Sequence, residues 1–164
     1  MAVINNDFTA EAVDVLPEEE VQICLFSISE DIYAIPVEIL IEIIISQKIF
    51  PIPTTPSHVL GVINLRGNIV PIVDIRQALS LPQQSAPGQI VIVKHGSLIF
   101  GIIVDSVSAV ISIPASYIQP LPSETGLQHA TRGRTRFVQG IIQRDTDVAA
   151  LLNIERIIEA IKLT

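Results

Sequence analysis

The chain has 164 residues, 49% of them apolar, 16% charged and 4% aromatic, with a net charge of −7 and a pI near 4.8. That length suits one domain, or two closely joined subdomains sharing a core. The acidic balance argues against nucleic acid as the main partner, since phosphate binding relies on clustered Lys and Arg, and the absence of Trp leaves little for base stacking.

A mean hydropathy of +0.54 raises the question of a membrane. The apolar runs are too short: Ile39–Ile45 is broken by Glu42, and Ile90–Val104 by Lys94, His95 and Gly96. Crossing a bilayer as a helix takes roughly 20 consecutive apolar residues, so no direct membrane insertion is expected. The N-terminus lacks the basic start and apolar core of a signal peptide. A single Cys24 can form no internal disulfide and fits a reducing cytoplasm.

In chain order, residues 1–20 read as an acidic, loose tail. Val21–Ser29 (VQICLFSIS) alternates with period two, Cys24, Phe26 and Ile28 on one face and Ile23 and Leu25 on the other, which predicts a strand buried on both faces. Ser29, Glu30 and Asp31 turn the chain into Tyr33–Val37, giving a hairpin. A short turn near Val37–Leu40 leads to a strand through Ile45, because β-branched Ile packs better on sheets than in helices. Pro51, Pro53 and Pro56 stop regular structure. Ser57–Leu60 reads as one helical turn ended by Gly61.

Val62–Leu65 and Ile69–Ile75 then form strands around Arg66-Gly67-Asn68, where Gly and Asn tolerate positive φ. Pro71 predicts an edge position or a bulge. Arg76–Leu81 reads as a short helix and Pro82–Gly88 as a flexible link. Gln89–Val93 and Leu98–Val104 make a second hairpin around Lys94–Ser97, and Ser106–Ile113 continues as strand. Pro114–Gln128 is irregular, and Phe137–Gln143 with Val148–Leu152 is a third hairpin around Arg144–Asp147. The chain closes with a helix capped by Asn153, with Ile154, Ile157, Ile158 and Ile161 at i, i+3, i+4 and i+7 and Lys162 suiting the dipole. Many short strands with Pro, Gly and Asn punctuation predict a mainly β barrel or sandwich with helical covers, in two strand-rich halves without a sequence repeat.

No catalytic set emerges. His58, His95 and His129 lack metal-ligand spacing, so no metal and no cofactor is expected. Cys24 sits mid-strand and reads as an inert buried thiol. Asp145 and Asp147 flank a hairpin tip as solvated acids, and no phosphate loop follows the Gly61–Gly67 pair. Asp74 and Asp105 each end an apolar strand, either as paired carboxylates or as caps of the following turn. Arg132, Arg134 and Arg136 read as a solvated loop, with phosphate contact the alternative. Two charges lie within apolar strands. Glu42 and Arg66 are either exposed on opposite edges or an ion pair that shapes a groove.

Gly61–Arg76 (GVINLRGNIVPIVDIR) resembles the signature of CheW-type coupling proteins and of the related regulatory domain of chemotaxis histidine kinases. Tyr33–Ile43, Ile52–Gly61, Phe100–Val110 and Leu152–Ile158 resemble flanking parts of the family, and Ala109 departs from a frequent acidic residue. The resemblance spans Val21 to Leu163, so a CheW-like domain is expected over 21–164. It implies two intertwined, SH3-like five-stranded β-barrel subdomains with short helices, a C-terminal helix and a hydrophobic groove between the barrels. It further implies a non-enzymatic cytoplasmic adaptor whose partners are a histidine kinase regulatory domain and a chemoreceptor cytoplasmic tip. Glu42 and Arg66 match the family's charge pair, Leu40 and Leu65 lie where receptor contact is expected, and Asn64, Gly67 and Asn68 shape the motif turn. Flagellar chemotaxis, type IV pilus motility and phototaxis remain open as pathways. Two other readings stand beside it: a regulatory domain cut from a kinase, disfavoured by Met1 and by the lack of an ATP-binding motif, and a small-molecule-binding or esterase-like β-barrel.

Overall fold

The computed structural model describes residues 18–53, 58–77, 79, 81, 88–121 and 137–161. The expected acidic tail lies outside them up to residue 17, as do residues 82–87 of the link, His129, the three arginines 132, 134 and 136, and Lys162. Strands β1 (Glu20–Ile28) and β2 (Asp31–Pro36) form the first hairpin around Ser29, whose φ is 59°. Cys24, Phe26 and Ile28 are fully buried in the central core, while Ile23 is buried in a second cluster on the opposite face. The strand is therefore covered on both sides, as its period-two pattern requires.

A 3-10 turn at Val37–Ile39 leads to β3 (Leu40–Ile45), followed by β4 (Val59–Leu65), β5 (Asn68–Val73), β6 (Gln89–His95), β7 (Leu98–Val104) and β8 (Ser106–Pro114). After a second 3-10 turn at Ala115–Tyr117 come β9 (Ile118–Pro120), β10 (Val138–Arg144), β11 (Asp147–Leu152) and helix α1 (Ile154–Ile161). The Asn153 Oδ1 accepts the Arg156 N–H at 3.1 Å, so the helix starts where the cap predicts. Ile154, Ile157 and Ile161 are buried against the core, with Ile158 half-buried beside them.

The strands sort into two lobes. The first holds the sheet β9-β10-β11-β2-β1-β8 and the second the sheet β3-β6-β7-β5-β4. Hairpin β1–β2 thus sends its next strand, β3, into the second lobe, and hairpin β6–β7 sends β8 back to pair with β1. Each lobe also has one parallel junction, β11 beside β2 and β5 beside β7. The architecture is mainly β and intertwined, but the first lobe carries a sixth strand, the three-residue β9. Each sheet rolls by bringing the chain beyond one edge strand onto the opposite edge strand. In the first lobe β9, just past β8, pairs with β10; in the second, Phe50, past β3, pairs with Val62 of β4 through two bonds of 2.8 and 2.9 Å.

The halves repeat. His58, Gly61, Arg66 and Asp74 correspond to Phe137, Gly140, Asp145 and Asn153, each 79 residues on, and Ala34 and Glu42 to Gly101 and Ala109, each 67 on. Even the small bonds recur: the Asp74 N–H donates to the His58 carbonyl at 2.8 Å and the Asn153 N–H to the Phe137 carbonyl at 2.6 Å. His58 and Phe137 meet edge-on, 5.4 Å between centroids, at the pseudo-two-fold axis. The sequence conceals this repeat because few matched residues, Gly61 and Gly140 among them, are identical.

Other expectations give way for definite reasons. Val59 and Leu60 are strand, not a helical turn, because Val59 pairs with Val73 across a bulge ending at Gly61. Gly61 does not end an element. It sits at φ 152°, and a Cβ there would lie 2.2 Å from the Phe50 carbonyl oxygen. Pro71 is not on an edge strand, since β5 has partners on both sides. Val62, opposite Pro71, spends both backbone groups on Phe50, so the proline nitrogen faces β7, whose parallel register begins only at Ile72. Arg76, Gln77 and Leu79 form hydrogen-bonded turns rather than a helix, and Pro114–Pro120 is strand, 3-10 turn and strand rather than irregular.

Gly61→Ala is expected to cost about 3 kcal/mol, because the new methyl meets rigid backbone. Gly96→Ala, at φ 62° with open space around it, is expected to cost about 1 kcal/mol for its left-handed conformation alone. Urea unfolding of the two variants would measure the gap.

Candidate functional site

The Glu42–Arg66 site begins with two local departures from regular strand. A register shift between Leu40 and Glu42 re-aims β3, and the β4–β5 connection is a two-residue turn with positive φ at both Arg66 (51°) and Gly67 (88°). The Asn64 Oδ1 accepts the Gly67 N–H at 2.7 Å and stabilises the turn. Asn68 was expected to share the positive φ. Instead it pairs with Leu65 in the ladder, and Arg66 takes the left-handed conformation. That choice throws the guanidinium across the lobe.

β3 and β4 are opposite ends of the second sheet. The guanidinium bridges them with two parallel bonds of 2.7 Å to both Glu42 oxygens, a geometry that matches fork to fork. The Gln47 Nε2 adds a bond to the Asn64 carbonyl at 3.1 Å. Of the two readings the sequence leaves open, the ion pair is the one adopted. It clips the rolled sheet at its mouth. The side chains are 25% and 69% exposed for Glu42 and Arg66, so solvent screening keeps the contribution to stability small and leaves the charges accessible. The Arg66 hydrogen bonds hold the Glu42 carboxyl below its usual value, against a smaller desolvation effect, and Glu42 raises Arg66 in turn.

Leu40 and Leu65 are both half-buried but pack on different clusters, Leu40 on the central core and Leu65 on the outer cluster of the second lobe, so the fold does not unite them. The large apolar side chains that do reach solvent beside the clip are Ile41 and Ile45 on β3 and Ile69 on β5. The corresponding positions of the first lobe hold Ala109 and Asp145, which cannot form a clip. There, an apolar cavity of about 50 Å³ opens instead, lined by Leu25, Ile32, Ile142 and Ala149 with Arg144 and Asp147 at its rim.

A second charged cluster was only half visible in the sequence. Asp74 caps the following turn, as one of the two sequence readings has it, but both Asp74 and Asp105 also ligate Arg76, which is 1% exposed. The Asp74 Oδ1 accepts the Arg76 backbone N–H at 3.0 Å and its Nη1 at 3.2 Å. The Asp105 Oδ1 accepts Nη2, and Oδ2 accepts the Ser29 N–H at 2.7 Å. The available signal was the Asp-x-Arg ending the motif, since an arginine that follows an apolar strand needs carboxylates when buried. Cys24 is fully buried and desolvation pushes its thiol up, which disfavours the thiolate. Among the described residues no group of three or more His, Cys, Asp or Glu is placed to hold a metal, and no helix is long and apolar enough to cross a membrane.

The clip has a pH signature. Because the folded Glu42 value is depressed, its contribution is present above the ordinary glutamate value and lost as pH falls through the depressed one. The Arg66 Nε–H resonance is expected to titrate with a midpoint below that of an ordinary glutamate, and Glu42→Gln to abolish the transition. A midpoint at or above the ordinary value would mean the clip is absent in solution.

Comparison with known proteins bears on the whole body at once. Residues 22–162 match the CheW-like domain. The chain is 29% identical over 144 residues to the chemotaxis protein CheW of Helicobacter pylori, covering 87% of this chain and 84% of that one. It is 28% identical over 115 residues to protein FrzA of Myxococcus xanthus, covering 69% and 71%. The crystal structure of the scaffolding protein TtCheW from Thermoanaerobacter tengcongensis superposes with a TM-score of 0.71 at 30% identity, covering 82% of this chain and 89% of that one. With the rolled, intertwined lobes and the clipped turn of the GVINLRG segment, this places the chain in the family of CheW-like domains.

Proposed function

We infer that this protein is a non-enzymatic coupling adaptor that joins the cytoplasmic tip of a chemoreceptor to the regulatory domain of a chemotaxis-type histidine kinase. The observation that carries this reading is the match of residues 22–162, nearly the whole described body, to a family in which one solved relative is a scaffolding protein. Such a role requires no bond to be made or broken. It requires two surfaces at a fixed separation, so that a change in one partner's conformation alters the free energy of the other. It also places the protein in the cytoplasm, at receptor arrays, held there through its partners.

Two features of the second lobe support the role. The clip offers charges that remain accessible, and Ile41, Ile45 and Ile69 supply exposed apolar area beside them, a combination suited to a protein surface. Leu40 and Leu65 would then shape the contact from beneath more than make it, because both are partly committed to core packing. Asn64 and Gly67 would act through the turn that presents Arg66.

Arg66→Ala and Glu42→Ala are expected to lower receptor-dependent control of kinase activity by about tenfold in a reconstituted receptor–kinase–adaptor array, with the thermal unfolding midpoint hardly moved. Full control retained by both variants would overturn the assignment of these residues. Failure of the parent protein to link purified receptor and kinase at all would overturn the adaptor reading.

A further inference from the structure

We propose that Arg76 and Asp105 form a pin that fixes the angle between the two lobes. Arg76 is then the positioning residue for partners held on either lobe, a role that rests on the adaptor reading above. Arg76 follows β5 and belongs to the second lobe. Asp105 is the single residue between β7 and β8, the point where the chain crosses from the second lobe to the first. Two bonds tie it to the first lobe: its N–H donates to the Ser27 carbonyl at 2.9 Å, and its Oδ2 accepts the Ser29 N–H at 2.7 Å. Its remaining oxygen takes the Arg76 Nη2. The Asp74 bond, two residues from Arg76, is local to the second lobe.

A neutral bond from the Val107 N–H to the Gln89 Oε1, 2.8 Å, also joins the lobes beside the crossover, but it is weaker than a charge-assisted one, and the apolar contacts lack directionality. The central core draws buried residues from both sheets and from α1, but apolar burial depends on area and tolerates small rotations. His58 and Phe137 meet edge-on at the pseudo-two-fold axis, where a contact acts as a pivot. A pivot on the axis leaves rotation free; a guanidinium–carboxylate bond away from it does not. The pin also has no twin. The positions corresponding to Arg76 and Asp105 hold Glu155 and Glu38, two acids that cannot pair. The angle therefore depends chiefly on this crossover.

The test places spin labels at Ser97→Cys in the second lobe and Thr146→Cys in the first, both exposed hairpin-tip positions; Cys24, fully buried, stays unlabelled. Pulsed dipolar spectroscopy is expected to give one narrow distance in the parent and a distribution about twofold broader in Asp105→Asn. Asp74→Asn, which removes the charge of the local contact only, should leave the distribution narrow. Arg76→Lys, which keeps the charge but not the fork, serves if Asp105→Asn does not fold, and should broaden it likewise. An unchanged distribution in the folded variants, or equal broadening in Asp74→Asn, would overturn the pin. These distances need no partner, so they stand or fall independently of the adaptor reading. In the reconstituted array the broadened variants should still bind each partner singly while losing receptor control of the kinase, an outcome that general destabilisation would not produce.

Discussion

A buried guanidinium is the constraint around which this fold is arranged. Arg76 lies at the end of β5 with 1% of its surface exposed. Such a charge is tolerated only where carboxylates and hydrogen bonds replace its lost hydration. Asp74 can be supplied locally, because an Asx turn places it beside the residue two further on. The second carboxylate has to come from elsewhere, and it comes from Asp105, which requires the β7–β8 crossover to pass next to the end of β5. Asp105 in turn needs the Ser29 N–H, so the tip of the β1–β2 hairpin is fixed as well. Three segments far apart in sequence are thus placed by one cation. An apolar replacement of similar volume would be no less stable in principle, so what the ion cluster contributes is a particular arrangement rather than more stability.

The exchange of β3 and β8 between lobes has a related effect. Neither half of the chain can complete a sheet alone, since each hairpin takes an edge strand from the other half. The core is accordingly shared, with Phe26 and Tyr33 from the first sheet packed in the same cluster as Val93 and Phe100 from the second and Ile157 from α1. A chain built this way should unfold in one cooperative step, because loss of either lobe removes a strand and a core face from the other. For a protein that holds two surfaces at a set spacing, this is the relevant property: the lobes cannot come apart while either remains folded.

Much of this was legible in the sequence, and the failures are informative. Period-two alternation located β1, Asn153 located α1, and the Gly-Asn punctuation located the β4–β5 turn, because each depends on local geometry. Val59 and Leu60 were misread because the strand there exists only through β5, where Val73 faces Val59, a partner that local pattern cannot see. Gly61 was read as the end of an element and Pro71 as the mark of an edge or bulge, yet both are adaptations to a crowded sheet interior: one admits a carbonyl 2.2 Å from where a Cβ would stand, the other lacks an N–H where none is needed. The Glu42–Arg66 pair could not be decided from sequence because its partners sit on opposite edges of a sheet whose rolling was unknown. Arg76 was read as the first residue of a short helix, and only the crossover at Asp105 reveals that it is buried and paired.

The repeat then explains how one fold can present two different surfaces. In each lobe the parallel junction brings two hairpin tips to the same end, because strands β2 and β11, and likewise β7 and β5, start side by side. In the first lobe those tips carry Glu30, Asp31, Asp145 and Asp147 against the single Arg144, all exposed, with Arg144 and Asp147 at the rim of an apolar cavity. In the second they carry Arg66 and Lys94, with Glu42 across the mouth. Equivalent backbone therefore ends in an open acidic mouth on one side and a clipped mouth with basic tips on the other. The difference lies in side chains that the core never sees, Ala109 for Glu42 and Asp145 for Arg66, so it could diverge without disturbing the packing that holds the lobes together. A symmetric scaffold would bind the same partner twice; an adaptor needs the two ends to differ while their separation stays fixed, and here side chains at the mouths and the shared core supply those two requirements separately.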